Sequence, residues 1–228
     1  MQINDEWDWL EAPLDSKCLA WARQEHQRSA SVLESLPRHQ EIKDELQWLT
    51  ESHAPRPEIY LVHDLFRLRQ DASHKYGILE ISKRQSGRLV ESWETVLDID
   101  NLRQIEEKSW ELHNGFGFSS SVLGDRILLY LSKGGSDLHE IRDFDIEKRA
   151  FVDGGFHVTA DRATATWLDI NQLVITHTQY GAPMSSTGWP VASFLWARGT
   201  ALQDAQRIHA GSTNDALSYV GGMGSDMN

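Results

Sequence analysis

Cysteine is almost missing from this chain: Cys18 is the single one in 228 residues. An intramolecular disulfide and a cysteine metal cluster are therefore both excluded. A lone thiol also suits a reducing compartment. Long apolar runs are absent as well; none approaches the roughly 20 residues that a membrane-spanning helix needs. Met1 to Trp9 is acidic and lacks the basic stretch and apolar stretch of a secretory leader, so a cytoplasmic protein is expected. Positive charge is in deficit, with 22 basic against 34 acidic residues and a formal net charge of −12. That balance gives no bulk attraction to nucleic acid or to anionic lipid. Neither nucleic acid nor a membrane is expected as a partner.

Catalytic patterns are equally scarce. No serine has glycine two places before and two places after it, as the nucleophile turn of an α/β-hydrolase requires. Gly134-Gly135-Ser136-Asp137 comes nearest, and its place among strand patterns makes it a hairpin turn. The ten histidines are never closer than ten positions, the separation of His53 and His63. Short metal motifs such as H-x-x-x-H are thus excluded. Asp98/Asp100 and Asp143/Asp145 each pair two carboxylates, but neither pair runs on into a calcium loop with its glycine and distal glutamate. They read as solvated turns. Glu106-Glu107-Lys108 reads as an exposed charge run. No strand leads into a phosphate-cradling glycine loop. The residues therefore assign no catalytic, cofactor-binding or metal-ligating position, and no cofactor.

What is present is patterning, and it changes near residue 54. Asp15 or Ser16 can cap a helix on which Leu14, Cys18, Trp21, Ala22, Val32, Leu33 and Leu36 recur at three- and four-residue steps. Its middle, Gln24 to Ser29, is polar throughout. Pro37 ends it, because the proline ring disfavours helical geometry in the residue before it. A second helix carries Ile42, Leu46 and Leu49 on one face and stops before Pro55.

Beyond residue 57 the pattern is one of short strands. They are predicted at 59–68, 77–82, 109–113, 126–131, 138–145, 164–168, 172–176, 191–197 and 206–210. Turn signals at Lys133-Gly134-Gly135-Ser136, Asp153-Gly154-Gly155, Asp169-Ile170-Asn171 and Ser186-Thr187-Gly188 separate them. Ile127, Leu129 and Leu131 alternate with Leu128 and Tyr130, so that strand is apolar on both faces and must be an interior one. Many short, evenly spaced strands fit a sandwich, a barrel or a propeller. Nine tryptophans spread along the chain suit several small packed layers. At about 40–50 residues a blade, residues 58–228 would supply roughly three and a half to four. Tyr219 to Gly224 reads as one more strand.

Read in order, several segments resemble the prolyl oligopeptidase family of serine peptidases. They are Trp9-Leu10-Glu11, Ala20-Trp21, Phe66-Arg67, Trp93 to Asp100, and Leu131 to Asp137 running on to Asp145. Phe151-Val152, Gly155-Phe156 and Trp167-Leu168-Asp169 follow. Ser186-Thr187-Gly188-Trp189-Pro190 and Trp196-Ala197-Arg198-Gly199-Thr200 close the series. Two positions depart from the family pattern: Glu25 or His26 replaces a common asparagine, and Val191 replaces an arginine after the proline.

The resemblance implies a mainly β chain, an incomplete β-propeller of about three to four blades of antiparallel strands. A helical arm at 1–54 precedes the partial propeller at 55–228, which stops short of a full ring at its C-terminal end. It implies further that the partner is a catalytic α/β-hydrolase domain carrying the serine, aspartate and histidine beyond Asn228. The propeller would gate access of short peptide substrates to that domain, while this chain alone would be inactive. A free-standing, non-catalytic propeller that binds a peptide or protein is the alternative from a different class.

Overall fold

The computed structural model describes residues 6–12, 15–51, 60–61, 65–85, 88–89, 92–113, 118–119, 125–216, 218 and 220. The chain divides into two compact units, Met1–Ala54 and Pro55–Asn228.

In the first unit a helical turn (Asp8–Glu11) leads to α1 (Ser16–Glu34) and α2 (His39–Glu51). Of the two nominated caps, Asp15 takes the role. It is extended, and its carboxylate accepts the Lys17 N–H at 2.8 Å, satisfying one of the amide donors a helix start leaves open. Trp7 and Trp9 pack on Trp21 with ring centroids 6.0 and 5.9 Å away. Among the described residues of this unit only Cys18 is a buried hydrophobic residue, while Val32, Leu33, Leu36, Leu46 and Trp48 are exposed.

The second unit contains three antiparallel meanders. The first orders β1 (Tyr60–Leu61), β2 (Leu65–Arg69), β3 (Ile78–Ser82) and β6 (Glu94–Asp98), with β4 (Arg84–Gln85) and β5 (Arg88–Leu89) forming a side ladder. After α3 (Ile99–Glu106), the second meander runs through β7 (Trp110–Leu112), β9 (Arg126–Lys133) and β10 (His139–Asp145). In it β8 (Phe118–Ser119) also pairs with β9, while β11 (Ala150–Phe151) and β12 (His157–Asp161) pair with β10. The third orders β13 (Thr164–Asp169), β14 (Gln172–Thr176), β15 (Ala192–Ala197) and β16 (Gln206–Ala210). Each meander is one propeller blade, so the described residues hold three blades.

The two-faced strand explains how the blades stack. On β9, Ile127, Leu129 and Leu131 enter a core shared with Phe66, Leu79 and Val96 of the first blade. Leu128 and Tyr130 enter a second core with Trp167, Leu173, Ile175 and Trp196 of the third. Burial of a large apolar side chain stabilises by about 1.5–3 kcal/mol, and β9 contributes on both sides at once. The Tyr130 hydroxyl adds polar stitching: it donates to the Ala165 carbonyl at 3.0 Å and accepts the Ala165 N–H at 2.9 Å.

Several elements differ from the expectation. Strands β6 and β12 and helix α3 have no counterpart among the predicted segments, and the long strand expected at 59–68 is two strands, β1 and β2. The helix follows β6 directly, capped by Asp98, which accepts the Asn101 N–H at 3.0 Å. Ile99 and Leu102 are buried in the first core, but eight residues are too few for a helical period to stand out in sequence. The strand read at Tyr219 to Gly224 lies outside the described residues, apart from Val220.

Candidate functional site

Most of the polar groups singled out in the sequence turn out to be structural. Ser136 sits in the β9–β10 turn, where Gly134 and Gly135 take φ of 62° and 74°. Its hydroxyl accepts the Leu138 N–H at 3.1 Å. The carboxylate pairs are not solvated turns. Asp100 accepts the N–H groups of Tyr76 and Gly77 at 3.0 and 3.2 Å, fastening α3 to the start of β3. The Asp143 side chain has no exposure at all; Arg198 donates to it at 2.7 Å, and Arg126 lies 3.6 Å away. Arg126 also pairs with Asp145 at 3.5 Å.

Arg198 belongs to the Trp196–Thr200 segment, and its role is to join blades. It reaches Asp143 of the second blade, donates to the Ile170 carbonyl and lies 4.5 Å over the Phe156 ring. Trp196 closes the same turn by donating its indole N–H to the Thr200 carbonyl at 3.0 Å. Glu106 is not part of an exposed charge run either. It accepts two hydrogen bonds from Arg142, at 2.7 and 3.0 Å, and one from the Trp110 indole at 2.8 Å. Hydrogen bonds from Arg142 hold its carboxyl below the ordinary carboxylate value, as charge pairing should. Val191, at the departure from the family pattern, is fully buried and donates its N–H to the Pro183 carbonyl.

Three histidines distant in sequence lie along the seam of the second and third blades. His113 follows β7, His139 opens β10 and His177 follows β14. The His113 and His139 rings are 4.6 Å apart, and His139 Nε2 meets the Ala163 carbonyl at 2.7 Å. Asp161, 1% exposed, ends β12 opposite His139. It accepts from both the N–H and the hydroxyl of Thr178. Burial lowers the pKa of His139 and of His177, partly offset by Asp161, so both are neutral at pH 7. Burial likewise pushes the Tyr130 phenol up to about 12. These are groups tuned by packing. Among the described residues no set of three or more histidine, cysteine or acidic side chains is placed to hold a metal.

Two features escaped sequence reasoning. His209 Nε2 lies 2.7 Å from the Ser218 hydroxyl, nine residues apart with no motif to announce it. A nucleophile needs its base oriented by a third group. Among the described residues no carboxylate bonds to the His209 ring; Asp215, close by in sequence, accepts the Ser212 N–H instead. The second feature is a cavity of about 170 Å³ on the third blade. His177, Tyr180, Pro183, Phe194, Leu202 and Arg207 are among its walls. The His177 ring stacks on Phe194 at 4.6 Å.

Residues 1–219 match the N-terminal beta-propeller domain of prolyl oligopeptidase. The chain belongs to the prolyl oligopeptidase family. An uncharacterized peptidase of Sinorhizobium fredii is 30% identical over 153 residues, 67% of this chain and 21% of its own length. One from Rickettsia prowazekii is 23% identical over 221 residues, 89% of this chain and 29% of its own. Among solved structures, a post-proline cleaving enzyme from Rickettsia typhi superposes with a TM-score of 0.75 at 19% identity. It covers 90% of this chain and 31% of the enzyme. Oligopeptidase B from Leishmania major gives 0.60 at 14% identity, covering 91% and 28%. The chain thus spans about a fifth to a third of the length of the relatives it matches.

Proposed function

We propose that this chain is the gating part of a prolyl-oligopeptidase-like serine endopeptidase. It restricts access of short peptides to a catalytic α/β-hydrolase domain that these 228 residues do not include. The family match over residues 1–219 carries this reading. One further observation supports it. The helical unit exposes Val32, Leu33, Leu36, Leu46 and Trp48, an apolar surface suited to docking on that domain. No helix among the described residues is long and apolar enough to cross a membrane, and the reading places the enzyme in the cytoplasm.

The test mixes the purified chain with a separately expressed hydrolase half. Alone, the chain should neither cleave a chromogenic peptide with proline at the cleaved position nor react with a fluorophosphonate probe. Combined, it should suppress cleavage of a long unfolded polypeptide while sparing the short peptide. Stoichiometric labelling of any serine in the isolated chain, Ser218 above all, would overturn the reading. Equal cleavage of long and short substrates in the mixture would also reject gating.

A further inference from the structure

The cavity on the third blade contains two polar groups that no strong hydrogen bond occupies. His177 is 2% exposed; its ring faces the Gln179 backbone, but neither ring nitrogen makes a hydrogen bond of ordinary geometry. Buried polar groups are nearly always paired, so an unpaired one at a cavity wall calls for a partner from outside. Arg207 stands on β16 opposite Phe194. It is exposed, and among the described residues its side chain makes no hydrogen bond or ion pair. Arg67, Arg69, Arg126, Arg142, Arg149 and Arg198 of the same unit are all ion-paired.

The remaining walls set the size and chemistry of an occupant. Phe194, Leu202, Pro183 and Ala205 offer apolar surface. A volume of about 170 Å³ equals five or six waters at roughly 30 Å³ each. That is below the roughly 300 Å³ where drug-sized pockets begin, so the space takes one side chain and its terminal group. A single guanidinium on the wall favours a monoanion over a phosphate dianion. The planar fork of arginine matches a carboxylate. Neutral His177, another wall of the same cavity, carries one N–H donor. Tyr180 and Gly181, at φ of 53° and 73°, bend the β14–β15 loop into the outer wall, so the space exists before anything binds.

We infer that this cavity binds an α-carboxylate carried on a small apolar residue, as presented by the C-terminus of a peptide or by a free apolar amino acid. The site lies within the third blade and requires no hydrolase domain, so it stands or falls independently of the gating role.

The test titrates N-acetyl-L-leucine, N-acetyl-L-leucinamide and L-leucine into the full chain, followed by NMR of the His177 and Phe194 rings. The acid should shift both rings and bind at least about tenfold more tightly than the amide, the scale of one charge-assisted hydrogen-bonded pair. Arg207→Gln should erase that preference while near-ultraviolet circular dichroism stays native. His177→Phe, which keeps the stack on Phe194, should weaken the acid severalfold. Binding of N-acetyl-L-leucine without L-leucine identifies a peptide terminus; tighter binding of L-leucine identifies the free amino acid, and either supports the site. Unmoved His177 resonances would overturn the inference, as would acid and amide affinities within about twofold of each other or an unchanged preference in Arg207→Gln.

Discussion

The two units of this chain solve opposite problems. The blades bury Trp110, Leu128, Leu129, Leu131, Ile141, Leu173 and Ile175 almost completely, between faces that neighbouring blades supply. The helical unit forms its helices through local means: the Asp15 cap, the Arg38–Glu41 pair and the Gln40–Asp44 hydrogen bond. Leu33, Leu46 and Trp48 stay 51%, 57% and 67% exposed. Regular secondary structure therefore does not imply a core. Local bonds add only a few tenths to about 1 kcal/mol each, whereas each large blade side chain forfeits several on removal.

The largest expected effect that sharpens this contrast is at Trp110, which is fully buried between the first two blades. Trp110→Ala should destabilise by about 3–5 kcal/mol, read as a lower urea midpoint. Leu33→Ala on the helical unit should stay within about 0.5 kcal/mol. Comparable losses at both positions would break the comparison. Hydrogen exchange checks it without mutation: α1 and α2 should exchange rapidly and β9 slowly, and under the docking proposed above a separately expressed hydrolase half should slow the helices.

Nearly as large is the charge at the seam of the second and third blades. Asp143→Ala leaves Arg198 and Arg126 without their shared carboxylate and should cost about 3–5 kcal/mol, as loss of one partner from a buried pair does. A joint Asp143→Ala, Arg198→Met variant should recover part of that loss. Gly155 tests packing at the same place. A Cβ there would meet the Val152 and Asp143 Cβ atoms at 2.8 and 2.9 Å, so Gly155→Ala should cost about 1–3 kcal/mol.

The smallest effect is on pH dependence. Burial depresses His139 and His177 below the ordinary 6.5, so the unfolded chain binds their protons first. Their contribution is full above pH 6.5 and is lost as pH falls through the folded values. Glu106, Glu140 and Asp145 are also lowered, from 4.5, 4.5 and 3.8, and their contribution is lost in a second, more acidic step. The urea midpoint of the blades should thus decline in two stages from pH 8 toward pH 3. A midpoint flat down to pH 5 would remove the buried histidines from the account.

Patterning alone established much of this protein. The switch from helix to strand near residue 54, the stops of the two helices, the turns with their glycines and the two-faced strand at 126–131 all follow from local conformational preference and from periods of 3.6 and 2. These need only neighbours in sequence, so one sequence can display them. Tertiary structure decided the rest. That Asp143 meets Arg198, that Glu106 serves Arg142 and Trp110, and that His177 and Arg207 wall one cavity depends on strands brought together across dozens of residues. A carboxylate in a solvated turn and one sealed between blades read alike in sequence. Burial and pairing set their charge state and role, and only packing of the blades supplies both.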